Sequence, residues 1–414
     1  MRRNMHDAYR TEMSLMPILS EMEYVGVRVH PGILNIQKYW QSKFDDGEAF
    51  LKLVCDGVKP GTKAWFNAAR RKGLINEAKI QYTEKGNPRY GREFLPSLID
   101  DEELRSVLST RSKLQKALGT YVNVYAESFV KYEGRFHPYF SQTRDYDERG
   151  TTTGRMSSNL QQLPRVADKS HDPPNLRSLI WPDANQALIK RDFSGQELRV
   201  AAEYAKGSIL AEYIKNPKLD VHLMVADLIY QLTGVKLDRS MTKTMNFLKL
   251  YGGGAKLLAE KMHIDVDSAK QFFKYYDIAF PEFKTLMDNI ESQVKSGTLL
   301  RTWGGRLYDV EATSLSKFGK LTDNYYKLGN LLIQGSSADM TTEACIRYYR
   351  HPERKGRLML VVHDELVVTV AEQHVKSEME ILKWAMDEIP GWGVPLSSDG
   401  KIGPNFGEMV TYED

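Results

Sequence analysis

The sequence lacks the features of disulfide-stabilised, zinc-stabilised and membrane-spanning proteins. Cys55 and Cys345 are its only cysteines, too few for a disulfide framework or a four-cysteine zinc site. The longest apolar stretches, such as 358–362 and 366–370, fall far short of the ~20 residues that cross a bilayer. The N-terminus mixes basic and acidic residues without an apolar segment, so no secretory signal is visible. We therefore expect a cytoplasmic protein without a membrane partner.

A strong excess of one charge is also missing, as is any fixed-period repeat. The net charge of +3 arises from 57 basic and 54 acidic residues. This composition permits nucleic-acid binding without indicating it, because the placement of charge matters more than its sum. With 42% hydrophobic and 27% charged residues over 414 positions, the chain has the composition of a globular enzyme with about two or three lobes.

Helical and strand-like patterns alternate along the chain. Residues 31–131 show helical spacing broken by turn-like segments. Strand-like runs follow at 136–200, helical spacing at 205–300, and a mixture that includes a helix near 336–349. This order predicts an α+β fold.

The segment LIKRDFSGQELRVAAEYA predicts a strand that ends at Asp192 and a helix that follows it closely. Leu198, Ala201 and Ala202 have the spacing of one inward helix face. The Asp192 carboxylate is therefore expected at the end of a strand. An isolated Asp after a strand is usually a turn or capping residue, so this position needs support from other segments.

The segment RLMLVVHDELVVTVA predicts an antiparallel hairpin. Two β-branched runs flank His363, Asp364 and Glu365, which we expect in the tight connection between the strands. Such connections usually contain Gly, Asn or Pro, and two acids beside dry strands are unusual there. The alternative is an ordinary solvated loop.

The segment LDRSMTKTMNFLKLYGGG predicts a helix that Asp238 caps and that stops at the glycines. Basic and aromatic residues recur at every fourth position and form one slowly drifting face, while Met241, Met245 and Leu248 have core spacing on the opposite face. Either the first face is ordinary helix surface, or its cations bind a triphosphate and its rings stack on a base. The residues of this face are Arg239, Lys243, Phe247 and Tyr251.

All three elements fit one reaction. Two carboxylates can hold two divalent cations about 4 Å apart, which stabilise the attacking and leaving oxygens of an in-line phosphoryl transfer. The helix would then supply charge and stacking for an incoming nucleotide.

At these residues the sequence resembles the family A DNA polymerases, whose three polymerase motifs match KRDFSGQELR, RSMTKTMNFLKLYG and VVHDELVV in the same order. The similarity includes TGRMSSNLQQLP, QGSSADM and the closing DGKIGPNFG, which is similar to phage replicative members. Gly195 departs from the Gln that is common in bacterial members. The resemblance implies a right-hand polymerase, with a palm sheet and helical fingers and thumb.

The resemblance also implies the reaction, which is template-directed DNA synthesis by nucleotidyl transfer from a dNTP to a primer 3′ hydroxyl. Two Mg²⁺ ions, for which Mn²⁺ can substitute, would bind Asp192, Asp364 and the backbone carbonyl of Phe193. Glu365 would support them. The implied nucleotide-binding residues are Glu197, His222, Arg239, Lys243, Phe247 and Tyr251. The implied primer- and template-contacting residues are Arg155, Asn330, Gln334 and His363.

The same resemblance divides the chain into the regions of a polymerase hand. These are a palm-associated segment at 1–30, the thumb at 31–135, the palm at 136–220 and 305–414, and the fingers at 221–304. Because the sequence begins almost at the thumb, we expect no 3′→5′ exonuclease domain. The expected partners are primer–template DNA, dNTPs and a separate exonuclease or processivity subunit, in the host cytoplasm if a phage encodes the chain.

Three alternative functions would each require a different set of residues. In a single-subunit RNA polymerase, Glu197 would be unfavourable, because a carboxylate beside the ribose 2′ position penalises ribonucleotides. A DNA-binding subunit without catalysis would not need two acids facing a polyanion. A two-metal nuclease shares the acids but has no use for the face from Arg239 to Tyr251.

Overall fold

The computed structural model describes residues 5–83, 85–91, 94–144, 150–161, 163, 175–308, 314–315, 321–322 and 325–414. Helices surround one five-stranded antiparallel sheet, so the predicted α+β class is confirmed. Within the described ranges, no helix has the length and apolar content needed to cross a membrane.

The N-terminal third is mainly helical, as its sequence pattern predicts. One buried cluster, which includes Trp65, Phe66 and Leu104, forms a separate core for residues 51–108. The indole N–H of Trp65 donates to the Leu51 carbonyl at 2.9 Å. A turn of π-helix at Leu118–Val122 joins two of the helices. The elements are α1 (His6–Val25), β1 (Val27–Val29), α2 (Ile33–Val54), α3 (Lys63–Arg71), α4 (Glu102–Ala117) and α5 (Asn123–Lys131).

The central sheet brings distant segments together. Short strands precede it, namely β2 (Arg135–Phe136), β3 (Phe140–Ser141), β4 (Ser157–Ser158) and β5 (Ile180–Trp181). Its own strands are β6 (Ala187–Phe193), β11 (Arg357–Val362), β12 (Glu365–Val370), β13 (Ser398–Gly403) and β14 (Val410–Thr411). They lie in the order β11-β12-β6-β13-β14, so β6 is the middle strand. Every residue of β12 is buried, including Glu365 and Thr369, and its other four residues are apolar.

In the sequence, a helical region lies between β6 and the other four strands of the central sheet. Asp220, Asp238 and Asp265 each accept backbone N–H hydrogen bonds at the start of a helix, the capping role that aspartate performs well. The helices are α6 (Gln196–Ala205), α7 (Ser208–Lys215), α8 (Val221–Thr233), α9 (Arg239–Leu250), α10 (Ala255–Met262), α11 (Val266–Ala279) and α12 (Pro281–Lys295).

A long buried helix then leads back to the sheet. It begins at Leu328, eight residues before the sequence pattern predicts, and its middle turns are buried on all sides. Gly335 is required there, because a Cβ would lie 2.7 Å from the Tyr308 hydroxyl. The elements are β7 (Leu300–Arg301), β8 (Leu307–Tyr308), β9 (Ser314–Leu315), β10 (Leu321–Thr322), α13 (Leu328–Arg350) and α14 (Val375–Asp387).

Candidate active site

Asp192 and Asp364 meet at one end of the sheet. Asp192 is the next-to-last residue of β6, and Asp364 is in the two-residue connection between β11 and β12. The backbone N–H of Phe193 donates to the Asp364 carbonyl at 3.2 Å, which ties the hairpin tip to the end of β6. His363 has a φ of 60°, a left-handed conformation that costs about 1 kcal/mol or more in a residue with a Cβ. The tight turn thus holds Asp364 against Asp192.

The local turn after β6 explains the glycine at position 195. Gly195 has φ 64° and ψ 37° and immediately precedes α6. Because this conformation is left-handed, glycine adopts it without the steric cost that a Cβ brings. The chain can therefore leave the sheet at Phe193 and start a helix at Gln196, with only two residues between them.

The electrostatics of the two aspartates favour a cation. Burial raises the pKa of both carboxyl groups, and the charge of Asp364 raises the pKa of Asp192 further, to about 7. The two groups lie within hydrogen-bonding reach of each other. Oδ1 of Asp192 is enclosed and has no hydrogen-bond partner among the described residues. Such a pair is stabilised either by a shared proton or by a bound cation.

The donor set suits a hard divalent ion that keeps several other ligands. Within the described part of the chain, no three His, Cys, Asp or Glu side chains converge into a metal-binding group. An ion at this position would therefore rely on Asp192, Asp364 and oxygens of backbone, water or substrate. Mg²⁺ is commonly held in this way, by one or two carboxylates and substrate phosphates.

Glu365 lies elsewhere than the sequence predicts. It is the first residue of β12 rather than part of the connection, and its side chain is fully buried. Lys190 forms an ion pair with Glu365 Oε2, and Arg177 Nη1 lies 3.9 Å from Oε1. Since a buried carboxylate requires such compensation, these two cations explain why Glu365 can lie in the strand.

Strand alternation gives β6 two functional faces. Glu365 and Asp399 are the cross-strand partners of Asp192, so these three acids are on one face of the sheet. Arg191 points to the other face, where it is fully buried and donates two hydrogen bonds of 2.7 Å to the Asp414 carboxylate. It also donates to the Ser398 carbonyl at 2.9 Å.

A cavity of about 570 Å³ lies between the aspartates and α9. Lys243 lies over the ring of Phe247 at 5.8 Å from its centroid, and the rings of Phe247 and Tyr251 stack with centroids 5.7 Å apart. The predicted cap by Asp238 is present, and Met245 and Leu248 are buried on the other side of the helix. The lining includes Asp192, Glu197, His222, Arg239, Lys243, Phe247 and Asp364. Tyr251 immediately follows the helix.

His222 and Arg239 are each held by a neighbour on the wall of this cavity. The His222 imidazole hydrogen-bonds through Nδ1 to the Asn246 amide at 2.9 Å. Burial lowers the pKa of His222 to about 4, so the ring is neutral at physiological pH. Asp220 accepts a 2.6 Å hydrogen bond from Arg239 Nε. Sequence reasoning missed Asp220, although an Asp that precedes an apolar helical run is a recognisable N-cap.

Glu197 forms an ion pair with Arg155. Burial raises the pKa of Glu197, while Arg155 and Lys243 oppose this rise. Oε2 of Glu197 is enclosed and has no hydrogen-bond partner among the described residues. Glu197 thus lines the cavity with a carboxylate that the described residues satisfy only in part.

The four sequence-predicted primer and template contacts line a second cavity, of about 490 Å³. They are Arg155, Asn330, Gln334 and His363. Arg155 also influences the first site, because its charge lowers the pKa of Asp364 against the larger effect of burial. The second cavity is thus adjacent to the paired aspartates, and Arg155 lies where the two regions meet.

Comparison with known proteins identifies the class. Residues 69–408 match the family model described as DNA polymerase family A, and the chain belongs to this family. The fold is also that of the POL domain of Pol1 from M. smegmatis, solved in complex with DNA primer-template and dNTP. The TM-score is 0.77 at 22% identity, over 96% of this chain and 70% of the other. The right-hand polymerase fold is therefore confirmed.

The individual relatives are DNA polymerases I. That of Caldicellulosiruptor bescii is 27% identical over 413 residues, which cover 96% of this chain and 47% of the relative. That of Geobacillus stearothermophilus is 26% identical over 420 residues, with 98% and 47% covered. The thermostable enzyme of Thermus aquaticus is 24% identical over 413 residues, with 95% and 47% covered. The chain thus spans about half the length of these relatives.

Proposed function

We propose that this chain is a DNA-directed DNA polymerase that joins dNTPs to the 3′ end of a primer. The observation that carries the proposal is the meeting of Asp192 and Asp364, from segments far apart in sequence, in one cavity with the cationic face of α9. A polymerase needs carboxylates for metal-assisted phosphoryl transfer and cations for the triphosphate. Both are present on opposite walls.

Asp192, Asp364 and the carbonyl of Phe193 would hold two Mg²⁺ ions, with Mn²⁺ as a substitute. The bound ions supply charge stabilisation for the attacking and leaving oxygens. The enclosed, unpaired Oδ1 of Asp192 and the raised pKa of both aspartates support this assignment. Glu365 and Lys190 support the pair by fixing β12 against β6.

The nucleotide would lie along the opposite wall. Arg239 and Lys243 bind the triphosphate by charge, and neutral His222 donates a hydrogen bond to it. Phe247 and Tyr251 supply a stacked aromatic surface beside the new base pair. Glu197 would lie close to a ribose 2′ hydroxyl, and its carboxylate would then favour deoxyribonucleotides.

The primer–template duplex would lie against the residues that line the second cavity. Arg155, Asn330, Gln334 and His363 are suited to the minor groove, where acceptors common to all base pairs permit a test of pair shape without a test of sequence. The side-chain amides of Asn330 and Gln334 carry the N–H donors that such acceptors require.

We extend the proposal to the regions of the polymerase hand. We assign 1–30 to a palm-associated segment, 31–135 to the thumb, 136–220 and 305–414 to the palm, and 221–304 to the fingers. Synthesis without 3′→5′ degradation is the activity that we propose for these 414 residues. An end-labelled primer with a mismatched 3′ end should accordingly stay intact when no dNTP is present.

Primer extension with Mg²⁺ tests the proposal. Wild type should extend a primer on a template, and Asp364→Ala should reduce the rate by at least about a thousandfold, because one metal-binding carboxylate is lost. Asp267→Ala is the matched control, since Asp267 is an exposed aspartate whose ion pair with Lys270 lies along its own helix. Equal extension by wild type and Asp364→Ala refutes the mechanism.

A further inference from the structure

Asp220 connects two elements of the proposed nucleotide site through one carboxylate. Its Oδ1 accepts hydrogen bonds from the backbone N–H groups of His222 at 2.9 Å and Leu223 at 3.2 Å, at the start of α8. Its Oδ2 accepts the 2.6 Å hydrogen bond from Arg239 Nε, in the first turn of α9. One side chain therefore fixes the start of α8 relative to the Arg239 guanidinium.

Asp220 contacts Arg239 through Nε and therefore leaves the rest of the guanidinium for a ligand. A guanidinium has five N–H donors, and a contact through Nε leaves the four donors of the two Nη atoms for another anion. The Arg239 side chain is about half exposed, at 54%, so few packing contacts restrain it. Because a long side chain loses rotamer freedom when it binds, a contact that orients it beforehand improves affinity.

His222 depends on the same residue. It lies two residues after the capping Asp220, in the first turn of α8, and it lines the cavity with Arg239 and Lys243. Asn246 of α9 holds the ring from the other side. Two cross-links thus join α8 and α9. In one, Asp220 binds both the backbone at the start of α8 and the Arg239 guanidinium. In the other, Asn246 binds the His222 imidazole.

We infer that Asp220 is a positioning residue for the triphosphate, which it serves by aiming Arg239 and by fixing His222 at the start of α8. This inference rests on the proposed function, and it assigns to Asp220, which also lines the cavity, a role that acts through Arg239 and His222. The pKa of Asp220 is consistent with it. Burial would raise this pKa, but hydrogen bonds from Arg239 and the Leu223 N–H outweigh burial and lower it, so the carboxylate is charged at neutral pH.

Asp220→Asn separates the two roles of the side chain. Asparagine caps helices as well as aspartate does, but it lacks the charge that holds Arg239. Asp220→Ser is a second variant that retains a cap and is too short to reach the guanidinium. The matched control is Asp265→Asn, because Asp265 caps α11 in the same helical region and accepts hydrogen bonds from the backbone and hydroxyl of Ser268.

The measurement is the dissociation constant of a correct dNTP during single-nucleotide incorporation, together with the maximum rate. For Asp220→Asn and Asp220→Ser we expect dNTP binding about tenfold weaker, the effect of one lost charge-assisted contact, with a smaller change in the maximum rate. Primer–template affinity should not change. Asp265→Asn should match wild type in all three quantities.

A double-mutant cycle with Arg239→Lys identifies the route of the effect. Lysine keeps the charge but has no Nε–H in a planar fork, so Asp220→Asn should have little further effect in that background. Fully additive losses would overturn the inference, because Asp220 would then act independently of Arg239. Unchanged dNTP binding by Asp220→Asn would also overturn the inference. Tighter dNTP binding would overturn it too, because it would show that the Asp220 carboxylate merely repels the triphosphate.

A second probe separates this inference from the proposed function. Inorganic tripolyphosphate contains the phosphates without base, sugar or reaction, and its binding can be measured calorimetrically. If wild type fails to extend primers, the proposed function fails, while weaker tripolyphosphate binding by Asp220→Asn still supports the positioning role. If wild type extends primers and all variants bind dNTP and tripolyphosphate equally, the positioning role alone fails.

Discussion

Removal of the Lys190 ammonium should loosen the strand pair that carries the paired aspartates. Lys190→Met keeps most of the side-chain volume but leaves the fully buried Glu365 carboxylate without its closest cation. We expect a lower free energy of opening for the β6–β12 ladder. The effect should be local, because both residues are on these two central strands.

The magnitude follows from burial and from the remaining cation. Breaking a buried ion pair by removal of one partner costs about 3 to 5 kcal/mol. Arg177 Nη1 remains 3.9 Å from Glu365 Oε1, and at this distance the attraction is about 4 kcal/mol at an effective dielectric constant near 20. Because part of the lost compensation is thus retained, we expect a loss of about 3 kcal/mol, at the lower end of the range.

Hydrogen exchange measured by mass spectrometry on peptides that cover β6 and β12 reports this opening free energy directly. The double variant Lys190→Met with Glu365→Gln should lose less than Lys190→Met alone, since no charge then stays buried. Lys79→Met is the control, because the Lys79–Asp100 pair is exposed at 46% and 61% and an exposed ion pair contributes little to stability. Equal losses from Lys190→Met and Lys79→Met would refute the reasoning.

Two further predictions concern the site itself. Glu197→Ala should reduce discrimination against ribonucleotides by about 10- to 200-fold, measured as the ratio of kcat/KM for a dNTP and the matching rNTP; an unchanged ratio would remove Glu197 from sugar selection. The folded Asp192 carboxyl, with its pKa raised to about 7, keeps a proton that the unfolded chain releases, so wild type loses stability as the pH rises from about 4 to about 7. Asp192→Asn removes this titration, and in EDTA it should therefore be increasingly more stable than wild type across that range. Melting temperatures across this range test the second prediction, and a pH-independent difference would contradict it.

The sequence predicts local structure well where a single sequence pattern is enough to define a strand, hairpin or helix. The strand that ends near Asp192, the hairpin at Asp364 and the helix capped by Asp238 are all present. In each case, alternation, helical spacing or capping chemistry is sufficient to define the element. α13 begins eight residues before the predicted start near Ser336, because Gly335, directly before that position, weakens the helical pattern while burial on all sides stabilises the helix.

Contacts between distant segments could not be predicted in the same way. Glu365 was assigned to the connection because acids usually avoid buried strands, and only the three-dimensional contact with Lys190 and Arg177 explains its position. Asp220 was missed because its partner Arg239 lies on another helix. The resemblance to family A polymerases directed attention to residues that would touch substrate, and the residues that hold those side chains in place had no comparable motif.

The alternation of β6 has a practical consequence for mutational scanning of this protein. Lys190, Arg191 and Asp192 are consecutive, yet they contact a buried acid, the Asp414 carboxylate and the cavity, respectively. An alanine scan scored only by product yield would give three similar losses for three unrelated reasons. Yield must therefore be compared with the amount of intact protein at each position before any of the three is interpreted as part of the chemistry.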